Sequence, residues 1–364
     1  MEINLNIEPL EKWGVNAVRP FLISGPCSAE TQEQTLAAAR GLHKHGVKIF
    51  RAGIWKPRTR PNQFEGVGCT GLKWLRRVKE ETGMLTAIEV ANEKHVYEAL
   101  KMNVDILWIG ARTTANPFTI QEIADALEGA DIPVLVKNPI NPDLELWIGA
   151  IERIAGAGIT KIAAIHRGFS SSEKTIYRNT PKWEIVIELN QRLKNLPVIC
   201  DPSHIAGRAD LVFSISQQAM DLGHDGLMIE AHPDPRSALS DAKQQLTPDE
   251  VGELIKNLII REGKADNAEF TALLMELRSK IDKIDDEILT VIQKRMNVVK
   301  KIGKTKKENN LQILQTDRWT EVIETAKEKG SSKGLSNEFV EKLFKAMHQE
   351  SINVQTEILN SVRD

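Results

Sequence analysis

The chain lacks most of the features that mark specialised protein classes. Only three cysteines, Cys27, Cys69 and Cys200, occur in 364 residues. Their number is odd and their spacing forms no framework, so they read as reduced thiols, not a disulfide scaffold. Charge of either sign nearly cancels, leaving a formal net charge of −2. That balance gives no footprint for nucleic acid or for an acidic membrane. No hydrophobic run reaches membrane-spanning length, and the opening MEINLNIEPLEKW is too polar for a signal peptide. A cytoplasmic protein is therefore expected. Proline is missing altogether beyond residue 260, and no internal repeat or low-complexity segment occurs.

What is present is a folded composition, with 41% hydrophobic and 27% charged residues. The length favours two domains. Short β-branched runs recur at 19–24, 47–52, 85–90, 106–110, 134–137, 161–165, 198–200 and 227–230. Most are apolar without alternation, as strands covered on both faces should be. Helix-like stretches such as 31–43, 119–127 and 213–222 lie between them. Eight such strands over roughly 240 residues predict a (β/α)8 TIM barrel. A doubly wound open sheet is the alternative, weakened because no G-x-G-x-x-G follows the first strand. After residue 260 the strand-like runs stop. The polar REGKADN at 261–267 reads as a linker. The domains are therefore placed at 1–262 and 269–364, with 263–268 between them. The tail predicts an all-α domain of three helices, at about 268–308, 317–329 and 337–362. Asp317 and Ser336 are expected N-caps, and Gly330 an expected C-terminal stop.

Chemistry-bearing residues gather at the ends of the strands, where barrel active sites lie. Cys27, in SGPCS, follows the first strand. DPSHIAGRAD at 201–210 follows the seventh and carries His204. IEAHPDPRSALSD at 229–241 ends the eighth and carries Glu230 and Asp241. One thiol, one imidazole and two carboxylates are a full ligand set for one divalent cation. Closure of the barrel would set strand eight beside strand one and let the four converge. The other strand ends carry cations: Arg51, Lys56, Arg58 and Arg60, then Arg112, Lys137, and His166 with Arg167. Cations pointing into one mouth repel unless an anion is present, and arginine forks suit phosphate and carboxylate. Pro57 and Pro61 stiffen the loop after strand two. A metal-dependent enzyme acting on phosphorylated, carboxylated small molecules is expected.

GPCSAE, KPRT, IGAR, HRG, DPSH, EAHP and SDAKQQL, in this order, resemble the short barrel type of 3-deoxy-D-arabino-heptulosonate 7-phosphate (DAHP) synthase. The resemblance implies condensation of phosphoenolpyruvate with erythrose 4-phosphate. It implies one divalent metal on Cys27, His204, Glu230 and Asp241, with Mn2+ first among Mn2+, Fe2+, Co2+ and Zn2+. Arg51, Lys56, Arg112, Lys137 and Arg167 would hold phosphoenolpyruvate. Lys56, Pro57, Arg58 and Thr59 would hold erythrose 4-phosphate, so Lys56 serves both substrates and is the barrel's expected catalytic cation. Arg60 stands where this type often has a small residue, and Asn138-Pro139 where Arg-Gly is common. No folded regulatory extension is expected before strand one. Another synthase condensing phosphoenolpyruvate with an aldose is the rival reading of the barrel.

In the tail, Ile281, Ile288, Ile292, Val299 and Ile302 form a row at helical spacing, and Arg295 and Lys306 fall in it. Arg278 lies seventeen residues before Arg295, ~25 Å along a helix axis, so it would reach a partner's pocket and not its own. A helix of ~60 Å is too long for so small a domain to cover, which predicts an intertwined homodimer. On the last helix Ser351 and Gln355 interrupt the apolar side formed by Val340, Phe344, Met347, Val354 and Ile358. LMELRSKIDKIDDEIL, KR at 294–295, GKTK at 303–306, DR at 317–318 and ESINVQ at 350–355 resemble the all-helical chorismate mutases. The resemblance implies that Arg295, Lys306 and Arg318, with Arg278 of the other subunit, grip chorismate on its way to prephenate. Lys306 and Gln355 would face the ether oxygen, and Ser351 would line the pocket. Trp319 stands where the family commonly has a Glu that contacts the hydroxyl, and Gln315 replaces a frequent Asp. The tail is also expected to mediate feedback inhibition. A purely dimerising, ligand-sensing tail is the rival reading.

Overall fold

The computed structural model describes residues 3–14, 18–56, 62–172, 174–263, 267–314 and 316–361, except for the side chains of 316–318. The chain divides into two compact units, Met1–Gly263 and Lys264–Asp364.

Unit one is built on eight parallel strands: β1 Phe21–Gly25, β2 Ile49–Arg51, β3 Leu85–Val90, β4 Ile106–Ile109, β5 Val134–Lys137, β6 Ile162–His166, β7 Val198–Cys200 and β8 Gly226–Glu230. They close in sequence order into a barrel. Closure is made by β1 against β8, in register from Phe21 opposite Gly226 to Gly25 opposite Glu230. The open-sheet alternative is thereby excluded. Around the barrel run α1 Gln32–Lys44, α2 Thr70–Thr82, α3 Glu93–Lys101, α4 Ala111–Thr114, α5 Pro117–Leu127, α6 Leu144–Gly156, α7 Trp183–Arg192, α8 Pro202–Ala206, α9 Val212–Asp221 and α10 Pro248–Asn257. Their starts follow local chemistry. Thr31, Asn92, Asn116, Asp143 and Asp201 each accept a backbone N–H of the first turn, and Thr247 with Glu250 forms a capping box.

Strand residues alternate between two cores. Phe50, Ile88, Leu107, Val136, Ala164 and Leu227 point outward against the helices. Phe21, Ile23, Ile49, Trp108, Leu135, Ile165, Ile199 and Met228 fill the barrel. The filling is completed from below by a short 3-10 helix, Leu10–Trp13. Trp13 meets Phe21 edge-on at 5.9 Å and donates its indole N–H to Glu8 O at 3.2 Å. This plug escaped the sequence, because two apolar residues in a polar stretch carry no periodic signal. Trp13→Ala should cost about 3–5 kcal/mol of barrel stability by leaving a cavity. It should leave the Michaelis constants unchanged, since it lies at the end of the barrel opposite the site. Urea unfolding read beside steady-state kinetics checks both.

Unit two consists of α11 Ala268–Glu308, α12 Thr316–Ser331 and α13 Asn337–Asn360. Ser336 caps α13 as expected, accepting from Phe339 N. Two expectations are corrected. Asp317 lies inside α12, one residue past its start, and so is not the N-cap. Gly330 is helical. The stop is Gly334, at φ 78°, with Leu335 N donating to Gly330 O and Gly334 N to Ser331 O in the double bond pattern of a helix end. Gly330 is needed for a different reason: a Cβ there would lie 2.5 Å from Val340 Cγ2. Among the described residues, no helix is long and apolar enough to cross a membrane.

Candidate functional site

Strand alternation that places apolar side chains low in the barrel places charged ones at its top. Arg51, Lys137 and Glu230 end their strands facing inward and are almost fully buried. Two of them sit over Trp108, with the Arg51 guanidinium 4.7 Å and the Lys137 ammonium 6.0 Å from its ring centre. Glu89, also facing inward, accepts the Trp108 indole N–H at 3.3 Å. Charged residues tolerate such burial only when paired or when awaiting a ligand.

The candidate metal ligands converge. The donor atoms of Cys27, Glu230 and Asp241 lie within 4.8 Å of one another. Cys27 Sγ is 3.4 Å from Asp241 Oδ2. His204 Nε2 stands 3.8 Å from Glu230 Oε1 and 3.9 Å from Asp241 Oδ2. Cys27, Glu230 and Asp241 each have a cationic side chain within 3.2 Å. Lys56 Nζ is 3.2 Å from Cys27 Sγ, Arg51 Nη1 3.2 Å from Glu230 Oε1, and Arg178 Nη1 2.9 Å from Asp241 Oδ1. Burial, then Glu230 and Asp241, push the Cys27 thiol up to about 12, against the pull of Lys56 and Arg51. A thiol, an imidazole and two carboxylates at this spacing fit one divalent cation, which would relieve their mutual repulsion. The end of β1 passes close to β2: a Cβ at Gly25 would meet Arg51 O at 2.0 Å, so only glycine fits.

The anion-binding side is cationic. Burial first, then Arg178 and Arg112, drive the Arg167 guanidinium down to about 10, against Asp201. Arg167 Nη1 is steered by Asn179 Oδ1 at 2.9 Å, and Arg112 stands exposed in α4 directly after β4. Lys137 Nζ bonds Asp201 Oδ2 at 2.7 Å. Pro57, Arg58, Thr59 and Arg60 lie outside the described residues. His166 is a correction. The strand points it away from the mouth, where its Nε2 meets Pro181 O at 2.6 Å among Phe169, Trp183 and His224. Burial, then His224, push its pKa down to about 3, so it is neutral and adds no charge to the mouth. Sequence reasoning missed Asp201, Arg178, Glu89 and Gln244, whose Nε2 donates to Glu230 Oε2 at 2.7 Å. For Glu89 the signal was available: a lone acid in the apolar LTAIEV.

In the second unit Arg295 Nη1 donates to Ser351 Oγ at 2.8 Å and to Met347 O at 3.3 Å. Ser351 and Gln355 are buried on α13, and Gln355 Oε1 has no partner among the described residues. Gly303 lets α11 and α13 approach, since a Cβ there would lie 3.3 Å from Gln355 Cγ. Lys306 Nζ donates to Ile313 O at 2.5 Å. Trp319 stacks on His348 at 4.0 Å. The Arg318 side chain and Gln315 lie outside the described residues. Arg278 is exposed on α11, seventeen residues before Arg295. The expected core row is split: Val299 is buried, while Ile281, Ile288 and Ile302 remain 56%, 50% and 44% exposed. Among the described residues of this unit, nothing buries them fully.

Residues 13–262 match the DAHP synthetase I family, and residues 277–356 match chorismate mutase type II. A phospho-2-dehydro-3-deoxyheptonate aldolase of Thermotoga maritima is 37% identical over 237 residues, 65% of this chain and 68% of the relative. A 2-dehydro-3-deoxyphosphooctonate aldolase of Syntrophotalea carbinolica is 28% identical over 65% of this chain and 89% of its own length. The crystal structure of the Thermotoga maritima phospho-2-dehydro-3-deoxyheptonate aldolase (DAHP synthase) superposes with a TM-score of 0.60 at 36% identity, covering 66% of this chain and 68% of that one.

Proposed function

We infer the chemistry of each site from one premise: this chain belongs to the DAHP synthetase I family and carries a chorismate mutase type II domain behind its barrel. Its two domains are a 3-deoxy-7-phosphoheptulonate synthase and a chorismate mutase, both of the shikimate pathway. In the barrel, Arg51, Lys56, Arg112, Lys137 and Arg167 hold the carboxylate and phosphate of phosphoenolpyruvate. The Arg167 guanidinium, its basicity depressed by burial and by Arg178 and Arg112, gains most from such an anion. Lys56 with Pro57, Arg58 and Thr59 holds erythrose 4-phosphate. Cys27, His204, Glu230 and Asp241 would hold a divalent cation, Mn2+ first, which supplies Lewis-acid polarisation of the aldehyde. Carbon 3 of phosphoenolpyruvate attacks that aldehyde, water adds at carbon 2, and phosphate departs with carbon–oxygen cleavage. The cations hold the carboxylate and phosphate groups, so their work is orientation and charge stabilisation, including that of the departing phosphate. The convergence of Cys27, Glu230 and Asp241 beside Arg51 and Lys137 carries this assignment.

In the tail, Arg295, Lys306 and Arg318, with Arg278 of a second subunit, hold the two carboxylates of chorismate. Lys306 and Gln355 face its ether oxygen, Ser351 lines the pocket, and the product is prephenate. The buried, unpartnered Gln355 Oε1 and the Arg295–Ser351 bond support this placement. The exposed apolar residues of α11 support a homodimer through the tail. Three free cysteines suit a reducing compartment such as the cytoplasm. One assay series tests the reading. Purified full chain with Mn2+ should consume phosphoenolpyruvate with erythrose 4-phosphate, and convert chorismate to prephenate. Preference for another aldose would refute the barrel assignment, and failure to consume chorismate the mutase one.

Feedback belongs to the same proposal. The tail recognises a downstream dicarboxylate, so chorismate or prephenate bound there lowers barrel activity. A ligand shifts such an equilibrium only by its differential affinity for two states, and the coupling is reciprocal. Inhibition of DAHP formation by prephenate should vanish when the chain is cut after Gly263 or when Arg295→Ala is introduced. Equal inhibition of the cut and full chains, read in a phosphate-release assay, would contradict it.

A further inference from the structure

Asp201 is buried between the two halves of the barrel site and belongs to neither ligand set. It is held rigidly. Its backbone N–H donates to His166 O at 2.7 Å, and its Oδ1 accepts the His204 backbone N–H at 3.1 Å as the cap of α8. Its other oxygen, Oδ2, has two neighbours at once. Lys137 Nζ lies 2.7 Å away and His204 Nδ1 2.8 Å away. The His204 contact is at ion-pair distance, and His204 Nδ1 is buried with no other partner among the described residues. All of this occurs where Asp201 is 0% exposed and Lys137 5% exposed.

We propose that Asp201 is a positioning residue that couples the cation site to the anion site, because one carboxylate oxygen serves both His204 and Lys137. The inference rests on the ligand sets assigned above. A carboxylate beside Nδ1 keeps the proton there and leaves Nε2 as the lone-pair face toward Glu230 and Asp241. His204 holding a cation through Nε2 would lose electron density from its ring, and its Nδ1 proton would become more positive. Asp201 Oδ2 then leans toward His204 and neutralises Lys137 less. The lysine offers more of its charge to an incoming anion. Run backwards, an anion that draws Lys137 away frees Asp201 for His204 and tightens the cation. Direct attraction between cation and anion adds to the same sign, so only removing the carboxylate separates the two contributions.

The test uses the full chain, Co2+ and phosphoenolpyruvate. Co2+ affinity is measured by chelator competition and by the thiolate-to-cobalt absorption band. Phosphoenolpyruvate affinity is measured by calorimetry with and without Co2+. In the parent protein Co2+ should tighten phosphoenolpyruvate by about 5–150-fold. In Asp201→Asn, Co2+ affinity should fall about 10–100-fold, the absorption band should shift, and the coupling should shrink several-fold. Lys137→Met gives a second readout without any phosphoenolpyruvate. It should tighten Co2+ in the parent background but not in an Asp201→Asn background, a non-additive double-mutant cycle. Native Co2+ affinity and undiminished coupling in Asp201→Asn would overturn the proposal. If that variant does not fold, an unchanged Co2+ affinity in Lys137→Met overturns it instead. A parent chain whose Co2+ band survives Cys27→Ala would refute the ligand assignment itself, a distinct result.

Discussion

Cys27→Ala should lower DAHP formation on the order of a thousandfold or more while leaving the barrel folded. The substitution removes a thiolate whose donor neighbours are Glu230 and Asp241. Lewis-acid help is worth several kcal/mol, and each ~1.4 kcal/mol is tenfold in rate. The small Cβ remaining fills its place in the loop, so circular dichroism should be unchanged. Chelator treatment of the parent protein should reproduce the loss, and added Mn2+ should reverse it only when Cys27 is present. A pH dependence follows. With the thiol pushed up to about 12, Cys27 is protonated at neutral pH, and a cation must displace that proton. Metal affinity should therefore rise about tenfold per pH unit as pH increases toward that value, as long as no other ligand titrates. Calorimetry in buffers of different ionisation enthalpy should count one proton released near pH 8. Full activity in chelated, metal-free protein would refute the assignment.

The fold was unusually legible because the sequence kept its levels consistent. Uninterrupted apolar runs such as ILWI and VLVK are those of strands covered on two faces, so parallel strands follow, and eight of them over roughly 240 residues imply closure. The long tail helix is legible to its observed ends, Ala268 and Glu308, because the polar linker stops at residue 267 and the helical period follows it, and the structure adds that Asn267 caps it by accepting from Phe270 N. The same uninterrupted runs hid parity. IAAIH gives no hint which residues face the mouth, so His166 was counted with Arg167 although alternation sends it outward. Asp201 and Arg178 were overlooked for another reason. Their roles are contacts to Lys137, His204 and Asp241, made only after distant loops meet, and no spacing along the chain encodes them. The glycines make the same point: Gly330 and Gly334 look alike in sequence, and only the packing of Val340 assigns one to a close contact and the other to the helix end.

The tail's division of labour yields the second large effect. Arg295 meets Ser351 within one chain, whereas Arg278 stands exposed about 25 Å earlier on the same helix. Around Arg278, Leu273, Leu277, Ile281, Ile284 and Ile288 recur at spacings of three and four and are each 46–56% exposed. A soluble helix does not leave such a row in water, and a second copy of the row is its natural cover. In that arrangement each pocket takes Arg295 from one chain and Arg278 from the other. Arg278→Ala and Arg295→Ala should each reduce mutase turnover on the order of a hundredfold or more, since each removes a charge-assisted grip on a carboxylate. Both should leave DAHP formation intact when assayed without effector. Mixing the two variants after unfolding and refolding together should then recover activity. In a mixed dimer one pocket receives both native arginines and the other receives neither. Random pairing makes about half the dimers mixed, so about a quarter of native turnover should return. Mass spectrometry would verify the mixed dimers. If they form and no activity returns, Arg278 does not serve the neighbouring pocket, and the intertwined arrangement fails with it.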